Sequence, residues 1–170
     1  GDFNSIFGDQ AGYSLTSGDE NVFIGSQAGY LCTTQNENTF VGHEAGRSET
    51  GRRNTYIGSQ AGPDSGSVDN DYNTGVGFFA LHGVAGASNR NTAIGYLAGS
   101  GITTGSYNTF LGDSTGGVQT GSFNTVIGTN AWASSATVSN EITIGSANQT
   151  RLRLPGLQVG ASNGDVLTYN

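Results

Sequence analysis

Two histidines, His43 and His82, are the first side chains to weigh for proton transfer. A general base must lie within hydrogen-bond reach of the proton it takes. Neither histidine stands in a nucleophile elbow, a phosphate loop or a metal-ligand spacing. The carboxylates are better grouped. Asp64, Asp69 and Asp71 fall within one short stretch, followed by Tyr72 and then by Phe78, Phe79 and His82. Calcium wants several oxygen ligands. The Asp-Gly-Glu order of an EF-hand loop is absent, however, and so is the glycine-rich nonapeptide of calcium-binding β-rolls. No metal and no cofactor is therefore expected. Aromatic rings can stack on sugar faces and carboxylates can accept sugar hydroxyls, so Asp64, Asp69, Asp71, Tyr72, Phe78, Phe79 and His82 are the candidate ligand-binding set. The plainer alternative is that Phe78 and Phe79 pack and the acidic loop is solvated. Carboxylate pairs can cleave polysaccharide chains, but no pair is marked by spacing, and the chain is not expected to be an enzyme.

Composition narrows the class of scaffold that could hold these groups. The 170 residues include 29 Gly, 2 Pro and no Met, and only 11% are charged, against about 25% in ordinary domains. Aromatic, Ile, Val and Thr residues are frequent, which suits strands joined by tight turns. The net charge of −7, with no basic cluster, argues against nucleic acid or an anionic membrane as partner. No apolar run has the length of a membrane span. Cys32 is the only cysteine, so an intrachain disulfide is impossible. With no basic neighbour to activate it, Cys32 is expected in the core. The chain opens with Gly1 and lacks both Met and a signal peptide, so a fragment of a longer protein is expected.

A repeat organises the whole chain. The unit Asn-Thr-x-Ile-Gly-x-x-Ala-Gly begins at Asn4, Asn21, Asn38, Asn54, Asn73, Asn91, Asn108 and Asn124, with a worn copy at Glu141. Successive spacings are 17, 17, 16, 19, 18, 17, 16 and 17 residues. That period is too short for helical repeats or propeller blades. It predicts an all-β fold, a parallel β-solenoid of about nine short coils and roughly 40 Å in length at strand spacing. A coil is expected to hold two strands, the second carrying Leu15, Cys32, Ile102 or Val118.

Alternation along a strand assigns faces. The third position after Asn is always large and apolar (Phe7, Ile24, Val41, Ile57, Val76, Ile94, Leu111, Ile127, Ile144) and is expected to fill the coil. The first position, mostly Thr, shares its face. Rows of stacked Thr could match an ice lattice, but an inward Thr row sets that reading aside. The second position is then outward, leaving Ile6, Phe23, Phe40, Tyr56, Phe110 and Val126 in water. At 1.5–3 kcal/mol each, that row amounts to roughly 10 kcal/mol of unburied apolar surface. It is expected to meet the same row on identical chains in a homo-oligomer, or else to be covered by the chain's own loops. Departures from the repeat mark protrusions: the 19-residue spacing around Pro63–Asp71, and Phe78–His82 in the next coil. Trp132, in place of a repeat Gly, is expected to plug the end of the solenoid.

The repeat and its linkers, Thr104 to Asn108 and Thr120 to Asn124, resemble repeats of phage tail fibres and bacterial fibre adhesins. They are also similar to the head repeats of trimeric autotransporter adhesins. The resemblance covers residues 1–147 and implies a homotrimer; residues 148–170 are expected to form a C-terminal strand or cap, within which 154–170 resemble the stretch that precedes an intramolecular chaperone in such fibres. It further implies an extracellular location on a cell surface or virion and attachment to target cells, often through glycans. A purely structural shaft is the alternative.

Overall fold

The computed structural model is all β and describes residues 1–64, 70–84 and 86–149. Asp69 and the segment 150–170 lie outside the described residues. The strands are β1 (Ser5–Phe7), β2 (Val22–Ile24), β3 (Thr39–Val41), β4 (Thr55–Ile57), β5 (Thr74–Val76), β6 (Thr92–Ile94), β7 (Gly101–Ile102), β8 (Thr109–Leu111), β9 (Val118–Gln119), β10 (Thr125–Ile127) and β11 (Ile142–Ile144). Nine of them form one parallel sheet in the order β1-β2-β3-β4-β5-β6-β8-β10-β11. The chain is thus a β-solenoid of about eight turns between nine stacked strands.

The expected second strand is largely replaced by turns. Among the described residues only β7 and β9 pair on the return side, with Ile102 opposite Gln119. That register puts Gln119, not Val118, in the row with Leu15, Cys32 and Ile102. Elsewhere the return path is tied between coils by single backbone bonds, such as Leu31 N to Arg47 O at 2.8 Å.

The two faces of the long sheet are the reverse of those expected. Phe23, Phe40, Tyr56, Phe110 and Val126 are fully buried inside the coil, so the row assigned to a chain–chain interface is the chain's own core. Ile6, in the first coil, belongs to the same row but is 43% exposed. The third-position residues point out, as at Ile24, Ile57, Ile94 and Leu111. Both alternating rows are apolar, so alternation by itself could not say which was inside. The small residues opposite decide it. A Cβ placed on Gly29 would lie 2.8 Å from the Phe23 ring, and one on Gly46 would lie 2.6 Å from Phe40. Those glycines are floors for the rings. The rings then stack coil on coil, with centroids 5.1 Å apart for Phe23–Phe40 and 5.2 Å for Phe40–Tyr56.

Coils five and six break this stack, because Gly75 and Ala93 stand where the rings would be. Leu81 restores the filling. It replaces the repeat Gly, keeps the left-handed φ of 57°, and is fully buried. A Cβ built on Gly75 would lie 3.5 Å from its Cδ1, so its side chain occupies the space left by the missing ring.

The Asn row closes the corner. Each Asn Oδ1 accepts the backbone N–H of the equivalent residue one coil on, at 2.8–3.0 Å from Asn4 through Asn124. Each Nδ2 donates to a return-side carbonyl, as Asn91 does to Gly105 at 2.9 Å. The left-handed residue is the one before Asn, such as Glu37, Arg53 or Tyr107, each with φ of 60°.

Candidate functional site

The structure divides the expected ligand set between opposite ends of β5. Asp71 and Tyr72 stand just before that strand, and Phe78, Phe79 and His82 just after it. Five residues of chain lie between Tyr72 and Phe78, so the two are up to about 20 Å apart along an extended strand. The Asp71 carboxylate accepts the Arg52 N–H at 2.9 Å, and Asp64 pairs with Arg47 at 3.3 Å. The two stretches do not form one constellation.

The aromatic side chains are held in ladders. Arg90 lies between Tyr72 and Tyr107, with its guanidinium carbon 4.9 and 5.3 Å from the two ring centroids. Arg53 donates to the Tyr72 hydroxyl at 2.6 Å, and Tyr107 stacks on Phe123 at 4.7 Å. After β5, Phe78 stacks on Tyr96 at 5.6 Å and meets Phe79 edge-on, while Phe79 meets His82 edge-on. The His82 Nδ1 sits 3.2 Å from the Gln60 carbonyl. Ring faces in these ladders cover neighbouring rings or cations, which leaves mainly edges for a ligand.

Two features escaped the sequence reading. The first is Glu49, a fully buried carboxylate directly above Cys32 in the return row. Oε1 accepts from the N–H groups of Thr50 at 2.8 Å and Gly51 at 2.7 Å, and Oε2 accepts from the Tyr56 hydroxyl at 2.9 Å. Burial outweighs these bonds and pushes the Glu49 carboxyl up to about 7. Burial, with the Glu49 charge beside it, likewise raises the Cys32 thiol far above its ordinary range. Cys32 is a buried core residue, as expected.

The second is a shallow groove on the return side. Trp132 does not plug the solenoid; it lies on the outside, 62% exposed, with Nε1 donating to the Ser114 carbonyl at 3.2 Å. Its ring covers Gly117, where a Cβ would lie 3.3 Å away. Between Trp132, Ser100, Ser135 and Gln119 runs the groove; the Gln119 side chain itself is buried and its Oε1 faces away from solvent without a hydrogen-bond partner. An exposed indole in a shallow groove can hold the apolar C–H face of a small polyol against its ring, with the Ser hydroxyls of the lining beside it. A sequence signal existed, since Trp132 is the single Trp and breaks the repeat.

Among the described residues no group of three or more His, Cys, Asp or Glu side chains is placed to hold a metal ion. Among the same residues no helix is long and apolar enough to cross a membrane. No protein-family model, no curated protein and no solved structure matches the chain.

Proposed function

We propose that this chain is a non-enzymatic segment of an extracellular fibre, a surface adhesin or a virion tail fibre, that attaches to target cells through surface glycans. The observation that carries the reading is the self-continuing stack. Every coil offers the next one the same strand, Asn ladder and glycine corner, which is how a rod is built and extended. The groove beside Trp132 is the place on the rod whose chemistry suits a sugar. A glycan array probed with the labelled chain tests this directly. Binding that disappears in Trp132→Ala, with the fold intact by circular dichroism, supports the reading; an array with no binding leaves the rod as a structural shaft, a role that the unbroken register of the long sheet also suits.

Assembly as a homotrimer is proposed from the resemblance alone, because the row that argued for it on physical grounds is internal. A native mass of three times 17.4 kDa by light scattering supports it. A mass of one chain removes the trimer and leaves the glycan reading standing.

A further inference from the structure

The outward face of the long sheet carries two side-chain columns. One runs Thr39, Thr55, Thr74, Thr92, Thr109 and Thr125 in unbroken register through six neighbouring strands. The other runs Val41, Ile57, Val76, Ile94, Leu111 and Ile127 beside it in the same strands. Both point to solvent, and none of the nine strands of this sheet contains a charged residue. The six Thr hydroxyls make no hydrogen bond within the protein, whereas Thr16, Thr103 and Thr120 on the return side do.

We propose that this face binds crystalline water, with the Thr and aliphatic columns meeting an ice surface. Strands about 4.8 Å apart, with first and third positions about 6.7 Å apart along each strand, make a rectangular net. That net has the scale of the oxygen repeat on a prism face of hexagonal ice. Thr is β-branched and stiff at χ1, so its methyl and hydroxyl are ordered before contact and little entropy is lost on binding. The aliphatic column leaves apolar surface in water, and contact with a solid surface would remove part of it. The interior holds the net regular: Phe40 and Tyr56 stack with an angle of 16° and Phe23 and Phe40 with 8°, so neighbouring coils turn little against each other.

A second copy of the chain suits the face less well. Nine three-residue strands present roughly 400 Å², about half of the roughly 800 Å² that each partner gives to a stable interface. Burying six unpartnered hydroxyls against an apolar row would also leave them without acceptors. The proposal does not rest on the fibre reading, since it concerns the face alone.

The experiment is ice-affinity partitioning of the whole chain, with thermal hysteresis on the same samples. The expected result is enrichment in slowly grown ice, lost in Thr74→Lys and in Thr92→Lys but kept in Ala87→Lys, which places the same charge on the return side. Circular dichroism confirms that each variant is folded. Should the charged variants unfold, Thr74→Val and Thr92→Val, which keep the shape and remove the hydroxyl, are expected to weaken retention instead. Exclusion of the parent chain from ice, as for an ordinary solute, overturns the proposal. So does a native mass of several chains that falls to one in Thr74→Lys, because the face is then an interface between copies.

Discussion

At the scale of single residues, Glu49 ties stability to pH. Its folded-state pKa is raised from 4.5 to about 7, so the folded state holds the proton more tightly than the unfolded chain does. Stability is then greatest below the ordinary carboxyl range and is lost as pH rises through about 7. The shift corresponds to about 3 kcal/mol between those limits. Urea denaturation from pH 4 to pH 8 is expected to show this decline, and Glu49→Gln is expected to flatten it. A parent chain equally stable at both ends would refute the assignment. The Asn ladder gives a second residue-scale prediction. Asn91→Ala leaves the Asn108 N–H and the Gly105 carbonyl unpaired in a buried corner. Each buried unsatisfied group costs about 1–3 kcal/mol, so a loss of several kcal/mol is expected by denaturation. Asn91→Asp keeps the acceptor and, as the protonated acid, can also donate to Gly105, so it is expected to lose least when the pH is held below the carboxyl range.

At the scale of the coil, stability depends on how each strand's inward residue and its facing turn share one volume. A ring on the strand needs Gly on the turn, and the gap left by Gly75 and Ala93 needs one larger side chain on a turn. Leu81 over Gly75 and Ala93 is the second arrangement. Leu81→Ala is expected to cost about 2–5 kcal/mol through the cavity it opens. The paired change Leu81→Gly with Gly75→Phe should recover part of that loss, since it restores the ring-over-glycine arrangement of the neighbouring coils. A double-mutant cycle by thermal denaturation reads the coupling directly, and additive losses would mean that the two sites do not share the space. The aromatic and Arg ladders outside the coil follow the same stacking rule, which is why ring faces near Tyr72 and Phe78 are occupied and the groove at Trp132 is the better place for a sugar.

At the scale of the molecule, contacts run only between neighbouring coils, so stability should be graded along the rod rather than uniform. The strand β1 pairs only with β2, and its Phe7 is 78% exposed; Ile142 in β11 is 73% exposed. Hydrogen exchange is expected to be fastest in β1 and β11 and slowest in β4 to β6. Uniform protection along the rod would instead point to a single all-or-none unit.

The repeat, its period and its turn residues were enough to derive an all-β solenoid with parallel strands, because each coil must place the same groups at the same height to pair with the next. Cys32 in the core and the Asn and Gly corners were legible for the same reason. The facing of the strands was not. Ile57 and Tyr56 are both apolar, and a period of two assigns them to opposite faces without saying which face is inside. That depended on what lies across the coil, where Gly46, Gly62 and the Ala row leave room for a ring and for nothing else. The same tertiary fact moved the expected interface into the core, turned the Thr row outward, and separated Tyr72 from Phe78 by the length of a strand. Local spacing shows which residues travel together; which of them meet water is settled by the volume that distant parts of the coil leave open.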